Sequence, residues 1–428
     1  MRPDSPAALS YYAATVAGPG SPRPMLRGDQ VADVAVVGGG IAGCSTALHL
    51  ARRGYSVAVL EARAVGYGAS GRSGGQLIFG LAASQAALEA QVGPADARRL
   101  FDLSIEALDC TQELIRGYDI DCDYRPNHLH VATKMRHVRE LQRWAEELHA
   151  DYDYPSVRIL DRDQLRDHVR SDLYLGGLLD PRSGHLHPLK YTLGLARAAE
   201  SHGARIFENT EVSGYTEGAT IAVHSAAGTV RCRHLVLCGN AYLDSVAPVL
   251  DRRILAVGTY IVATEPMQPA VAANLLPSDA AIADMNWILD YFRLTADHRL
   301  LFGGRVSYSA MQPPNLSESM RRRMLRVFPH LQALKVAYTW GGYIDITMSR
   351  APDFGRLSAN VFYLQGFSGH GMALTGLAGR LVAEAVAGTA ERFDVFARIP
   401  HRNFPGGRAL RRPSLVAAML YYRLKDLL

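Results

Sequence analysis

Residues 33 to 61 read DVAVVGGGIAGCSTALHLARRGYSVAVLE, and the fold is decided by how this stretch divides. Val34 to Val37 is a short apolar run rich in β-branched residues, the composition of a strand buried on both faces of a parallel sheet. It enters Gly38-Gly39-Gly40-Ile41-Ala42-Gly43, a match to G-x-G-x-x-G. Ala42 to Arg52 has apolar residues at Ala47, Leu48, Leu50 and Ala51 among good helix formers, and Gly54 stops this helix. Val57 to Leu60 is a second apolar run, closed by Glu61. Strand, glycine turn, helix, strand and terminal acid in this order predict a dinucleotide site. Gly38 permits the tight turn, Gly40 lets a pyrophosphate reach the backbone, and Gly43 brings the helix close to the strand. The N–H groups at the helix start, around Ile41 and Ala42, and the positive end of the helix dipole stabilise diphosphate charge. Glu61 is placed to accept from an adenosine ribose, and its charge disfavours a 2′-phosphate.

The chain has 428 residues, 48% hydrophobic and 20% charged, which is enough for two domains with sizeable cores. A net charge of +5 is too mild for this length to indicate nucleic-acid binding. Lysines occur only at 134, 190, 335 and 425. Five cysteines with no C-x-x-C pair argue against a disulfide framework or a zinc site. His128 and His130, on a strand edge without an acidic partner nearby in sequence, read as surface or core residues, and no metal is expected. The N-terminus lacks a basic region followed by an apolar core, and no apolar run reaches the length of a spanning helix. The expectation is a cytoplasmic protein that makes no membrane contact and forms no nucleic-acid complex.

Residues 1 to 32 read as an arm anchored by Tyr11-Tyr12. Gly66 to Gln76, GYGASGRSGGQ, is too glycine-rich for a core element and reads as a loop whose backbone touches a ligand. Ser70 and Arg72 would close over the pyrophosphate, Arg72 through charge-assisted hydrogen bonds, while Gly74, Gly75 and Gln76 pass the redox ring. Helices are expected at Ala95 to Tyr118, His137 to Ala150, Leu189 to His202 and Ala373 to Ala387. Strands are expected at Leu129 to Thr133, Arg205 to Phe207, Leu255 to Thr264, Leu300 to Val306 and Thr339 to Thr347. His185 and His187 read as turn residues. A second glycine-rich turn, Gly366 to Met372, leads into the last of these helices and presents its N-terminus to the other half of the site. The tail from His401 ends in SLVAAMLYYRLKDLL, an amphipathic stretch expected to pack on the body or on a second subunit.

The glycine fingerprint, Glu61 and the GASGRSGGQ loop together resemble the D-amino-acid-oxidase-type FAD-dependent oxidoreductases. Within them the chain is most similar to the gamma-glutamylputrescine oxidase group. That similarity rests on SYYAAT at Ser10 to Thr15, GYGASGRSGGQ, WGGYIDITMSRAPDFGR from Trp340 and GFSGHGMALTGLAGRLVAEAVAG from Gly366. The resemblance implies an α/β fold: a Rossmann-type FAD-binding domain with an inserted α+β substrate domain on a large, mainly antiparallel sheet. The implied division assigns 33–95, 156–245 and 350–400 to FAD and 96–155 and 246–349 to substrate, with an arm at 1–32 and a tail at 401–428. The implied cofactor set extends to Ala62, Arg63, Ala69, Ser73, Val212 on the adenine side, Gly239, Asn240, Gly366, Gly369, His370, Gly371 and Met372. Residues 68–76 contain no His and the 366–372 turn no Cys, so the FAD is expected to be non-covalent.

The resemblance implies oxidation of an amine to an imine, hydrolysed to an aldehyde, with oxygen reduced to hydrogen peroxide; the redox chemistry is the flavin's. Related enzymes carry a lysine over the flavin. None of the four lysines falls at 255–310, which leaves His370 as the oxygen-side group or quinone as the acceptor. Substrate-side candidates are Tyr260, Tyr291, Arg305, Trp340, Asp345 and His370. Arg305 would take a substrate carboxylate, Trp340 and the tyrosines an amine, and Asp345 a cation. An RNA-modifying flavoprotein is the weakest alternative, because no dense basic patch with interleaved aromatics is present. A homo-oligomer is left open.

Overall fold

The structure, a computed structural model, describes residues 10–16, 23–307 and 315–405; of residues 305–307 only the backbone is described. The expected amphipathic tail helix lies outside the described residues.

The run Val34–Val37 is central in a six-stranded sheet. Its order is Asp353–Ser358, Val361–Gln365, His234–Leu237, Val34–Val37, Val57–Leu60 and Arg205–Phe207, parallel throughout except for the first strand. Both faces are covered at its centre, so Val34–Val37 and Val57–Leu60 are apolar and buried at every position. Alternate residues go to different cores, because successive strand side chains point to opposite faces. Val34, Val36, Val57 and Val59 meet the helices. Ala35, Val37, Ala58 and Leu60 meet a four-stranded sheet that includes Val212–Thr216 and Ile221–Ser225.

On the helical face, Ile41–Ala51 lies against Leu374–Val386 and Pro188–Ser201. A Cβ at Gly379 would come within 2.5 Å of the Thr46 nitrogen, so this glycine sets how closely the first two helices approach. Ser45 Oγ donates to Gly376 O at 2.6 Å across the same contact. The two glycine-rich turns that begin these helices are thereby brought together.

The second sheet has nine strands. Eight run in the order Val336–Thr347, Ile254–Thr264, Leu300–Ser307, Tyr291–Leu294, Ala281–Asp284, Arg125–Ala132, Gly176–His185 and Gln76–Leu77, and Arg158–Leu160 pairs with Gly176–His185 off this path. All pairings are antiparallel except that of Ala281–Asp284 with Arg125–Ala132. One face, with Val262, Phe292 and Phe302, is covered by the helix Leu316–Val327 through Leu316, Met320 and Met324. The other, with Ile261, Leu301 and Trp340, holds Tyr11 and Tyr12 of the arm. These tyrosines sit on a five-residue helix, Tyr11–Thr15, capped by Ser10 Oγ accepting from Ala13 N at 3.1 Å.

Two expectations shift. The helix expected at Ala95 to Tyr118 extends over Gln85–Gly117, broken at Gly93 (φ 79, ψ 163). Pro94 explains the break, since the residue before a proline avoids helical angles. Of the surface or core readings, His128 is buried and His130 partly so, and their rings meet edge-on at 4.6 Å. Gly176–His185 hydrogen-bonds into the nine-stranded sheet, although the expected division assigns 156–245 to the FAD-binding unit. We propose a boundary near His187.

Candidate cofactor and active site

The first turn is shaped by what a side chain would strike. A Cβ on Gly43 would lie 1.9 Å from Gly38 O, and one on Gly38 (φ +111) would lie 2.7 Å from Cys238 O. A Cβ on Gly40 would stand 2.8 Å from Ser70 Oγ. The bare backbone of this turn opens onto the start of a helix whose first N–H groups have no intrahelical acceptor. Ile41 N donates to Ser70 Oγ at 3.0 Å; the Ala42 and Gly43 N–H groups follow it. Glu61 closes the rim. Its Oε2 accepts from Gly39 N at 2.7 Å and its Oε1 from Arg63 N at 2.8 Å. Burial raises the Glu61 pKa, and these two N–H groups work against that. A carboxylate has about four acceptor positions, so lone pairs remain for ribose hydroxyls. The rim continues through Ala62 and Arg63, whose carbonyl accepts from Asn209 N at 2.8 Å. Val212 starts a strand of the four-stranded sheet and is buried.

The loop after Glu61 forms a short 3-10 turn at Ala69–Gly71. Arg72 is already engaged: Nε donates to Tyr67 O at 2.8 Å and Nη1 to Gly341 O at 3.1 Å. It ties the loop to the substrate sheet and keeps further N–H donors. Trp340 does the same from the other side, its Nε1 donating to Arg72 O at 3.0 Å. Tyr291 fills the space over Gly74, where a Cβ would lie 2.5 Å from its ring. Gln76 Nε2 donates to Ile282 O at 3.1 Å, and its Oε1 lies 3.4 Å from His128 Nε2.

The second turn meets the first. Ser73 Oγ is 3.3 Å from Met372 Sδ. Gly366 (φ +77) and Gly369 (φ +83) have left-handed backbones, and a Cβ on Gly371 would lie 3.0 Å from Phe367 Cβ. His370 Nε2 is 2.9 Å from Phe79 O, tethering this turn to the chain just past Gln76, and burial lowers its pKa. Asp345 is 1% exposed, and its carboxylate accepts from Gly366 N. Burial raises its pKa to about 7, against its hydrogen bonds, which include one from the Asn240 side chain. Asn240 has φ +53 and follows Gly239 at the end of the strand His234–Leu237.

Contacts thus bring together Gly38 to Gly43, Glu61, Ser70 to Gln76, Asn240, Asp345 and Gly366 to Met372. The Asp345 carboxylate is engaged by the turn backbone and by the Asn240 side chain. The Trp340 indole N–H is likewise committed to the loop. Tyr260 lies on the opposite face of its strand, within the core that contains Phe292 and Phe302. Arg305 is paired in register with Tyr260, and its side chain lies outside what the structure describes. Sequence reading missed Arg293, His128 and the Asp345–Asn240 contact. An arginine between Phe292 and Leu294 in an otherwise apolar strand is the one signal that was legible.

A cradle that any Cβ would fill, a helix start whose N–H groups lie outside the intrahelical ladder, an acid on its rim and a second glycine turn at van der Waals reach fit a flavin dinucleotide. The chain belongs to the FAD-dependent oxidoreductase family named for D-amino acid oxidase (DAO), whose model matches residues 33–385. FAD is its cofactor. Among relatives, it is 42% identical over 418 residues to gamma-glutamylputrescine oxidoreductase of Escherichia coli K12, covering 97% of this chain and 98% of that one. It is 40% identical over 408 residues to a probable oxidoreductase of Haemophilus influenzae, covering 94% of each chain. Its fold matches the crystal structure of glycine oxidase from Bacillus cereus with a TM-score of 0.71 at 22% identity, over 87% of this chain and 99% of that one. Among the described residues no helix is long and apolar enough to cross a membrane.

Proposed function

We propose that this enzyme oxidises the terminal C–N bond of an amine whose far end carries a carboxylate, as in gamma-glutamylputrescine. The observation that carries this reading is the near full-length similarity to the E. coli gamma-glutamylputrescine oxidoreductase. Bound FAD, held without a covalent link, supplies the two-electron acceptor. Two electrons and two protons leave the CH–NH2 unit, the imine takes up water, and aldehyde and ammonia are released. Oxygen accepts the electrons and protons as hydrogen peroxide.

The chain's part is to bind, orient and exclude water. Tyr291 and Trp340 wall the cleft on the sheet side, over Gly74 and Arg72. His370, in the second turn and kept neutral by burial, is the group for handling a proton on the oxygen side. Arg305 is the residue the sequence offers for the carboxylate; its backbone lies in the strand Leu300–Ser307, opposite Tyr260 beside a bulge.

The test compares gamma-glutamylputrescine with putrescine on wild type and Arg305→Met. Loss of one charge-assisted hydrogen bond remote from the reacting carbon raises KM about ten- to a hundredfold for the first substrate and little for the second. Equal losses on both make Arg305 structural. Failure of wild type to bleach its flavin anaerobically with either amine sinks the substrate assignment, and turnover without peroxide sinks oxygen as acceptor.

A further inference from the structure

We propose that Arg293 is a positioning residue for the cofactor loop. Its guanidinium, oriented by Tyr12 of the N-terminal arm, fixes the backbone at Gly74 and Gly75. Arg293 is 3% exposed. Its Nε donates to Gly74 O at 2.7 Å, and its Nη2 donates to Leu186 O at 3.0 Å and to Tyr12 Oη at 3.1 Å. Nη1 donates to Leu294 O at 3.0 Å.

These bonds close a clasp. Leu186 N donates to Gly75 O at 2.8 Å, and a Cβ on Gly75 (φ +73) would lie 2.1 Å from Leu186 O. Only a glycine lets the Leu186 carbonyl sit there, and Arg293 holds that carbonyl together with Gly74 O. One planar fork therefore joins the cofactor loop, the turn into the helix Pro188–Ser201 and the arm. Only a fork can do so, because a lysine ammonium is a point donor.

Among the described residues no carboxylate is ion-paired with Arg293. Burying a cation without one is costly unless its N–H groups are used; here three carbonyls and one phenol take four of the five, and Nη1 also lies 3.5 Å from His185 Nδ1. Tyr12 is itself fixed, its ring 4.7 Å from the His187 ring and 5.4 Å from that of Trp340. Through Trp340 the arm reaches Arg72, so both ends of the loop from Arg72 to Gly75 rest on the Tyr12 neighbourhood.

The experiment titrates FAD into wild-type, Tyr12→Phe, Arg293→Lys and Arg293→Met apoprotein, well below the melting temperature of each. Kd, the visible flavin spectrum and apoprotein Tm are recorded. Wild-type uptake tests the cofactor assignment by itself. Arg293→Met is expected to weaken FAD about a hundredfold and Tyr12→Phe about three- to tenfold, with Arg293→Lys between them and an altered flavin spectrum in each. Lowered Tm with unchanged Kd and spectrum throughout would make Arg293 plain structural glue and overturn the proposal. Full recovery by Arg293→Lys would show that charge and not the fork matters, which also overturns it. If Arg293→Met does not fold, Tyr12→Phe still decides, since it removes one hydroxyl and keeps the ring.

Discussion

Asp345 shows how one side chain changes meaning between sequence and structure. In the sequence it ends a strand and offers a negative charge to an amine. In the fold it is buried beneath the second glycine turn, with Gly366 N on its carboxylate. Burial raises its pKa from 3.8 to about 7. A carboxyl that holds its proton more tightly when folded contributes stability that is complete below its unfolded pKa. That contribution is lost as pH rises through the folded pKa. Apoprotein stability, taken as wild type minus Asp345→Asn, is therefore expected to fall between about pH 4 and pH 7 and stay level above. The fall is a few kcal/mol at most, on the order of 1.4 kcal/mol per pKa unit. Asn keeps an acceptor for Gly366 N, so the difference isolates the charge. Denaturant melts of both proteins across this range measure it, and a flat difference would mean that the carboxyl is ionised in the fold.

At the scale of elements, the strand–turn–helix unit at 34–51 was fully legible because its signals are local. The apolar run, the glycine spacing and the helix formers each act within a few residues. Gly176–His185 was not legible as a strand: it contains Asp180-Pro181-Arg182-Ser183-Gly184, which reads as a turn. It is a strand because remote Arg125–Ala132 supplies its hydrogen-bond partners and Tyr154 Oη donates to Asp180 Oδ1 at 2.9 Å. The clasp at Arg293 was hidden for the same reason, its partners being some 107 to 281 residues away in sequence. The local unit makes a sharp prediction. Gly43→Ala sets a methyl 1.9 Å from Gly38 O, with backbone on both sides that cannot yield. It is expected to cost about 2–4 kcal/mol and to abolish tight FAD uptake. Gly54→Ala is the control. Gly54 (φ +86) has nothing within 4 Å of its Cβ, so the variant pays only the left-handed backbone penalty, about 1–2 kcal/mol, and binds FAD as wild type does. Equal effects on FAD binding would show that the turn does not meet the cofactor.

At the scale of the whole molecule, the glycine turns lie where the two sheets meet, and one core joins Val34 and Val36 of the first to Leu77, Ala132 and Leu178 of the second. The six-stranded sheet sends in both glycine turns, and the nine-stranded sheet sends in Tyr291, Trp340 and Asp345. Bonds that cross between them include Arg72 to Gly341, Trp340 to Arg72, Asp345 to Gly366, Ser368 to Asp345, Arg293 to Gly74 and Arg293 to Leu186. A cofactor that touches both sides adds to this set, so occupancy should be felt as global stability. A ligand that binds only the folded state stabilises by RT ln(1 + [L]/Kd), about 2.7 kcal/mol at a hundred times Kd. For a chain larger than a few hundred residues, about 2 °C or less of Tm is gained per kcal/mol, so saturating FAD is expected to raise Tm by roughly 3–6 °C. The five cysteines are all buried and none is in a disulfide; Cys44 donates to Gly39 O at 3.6 Å from within the helical core. Acid precipitation of the yellow holoenzyme should therefore leave all flavin in the supernatant. Apoprotein given FAD afterwards should regain both colour and the higher Tm. Flavin that stays with the precipitate would show a covalent link, and a Tm unmoved by FAD would show that the cofactor rests on one sheet alone.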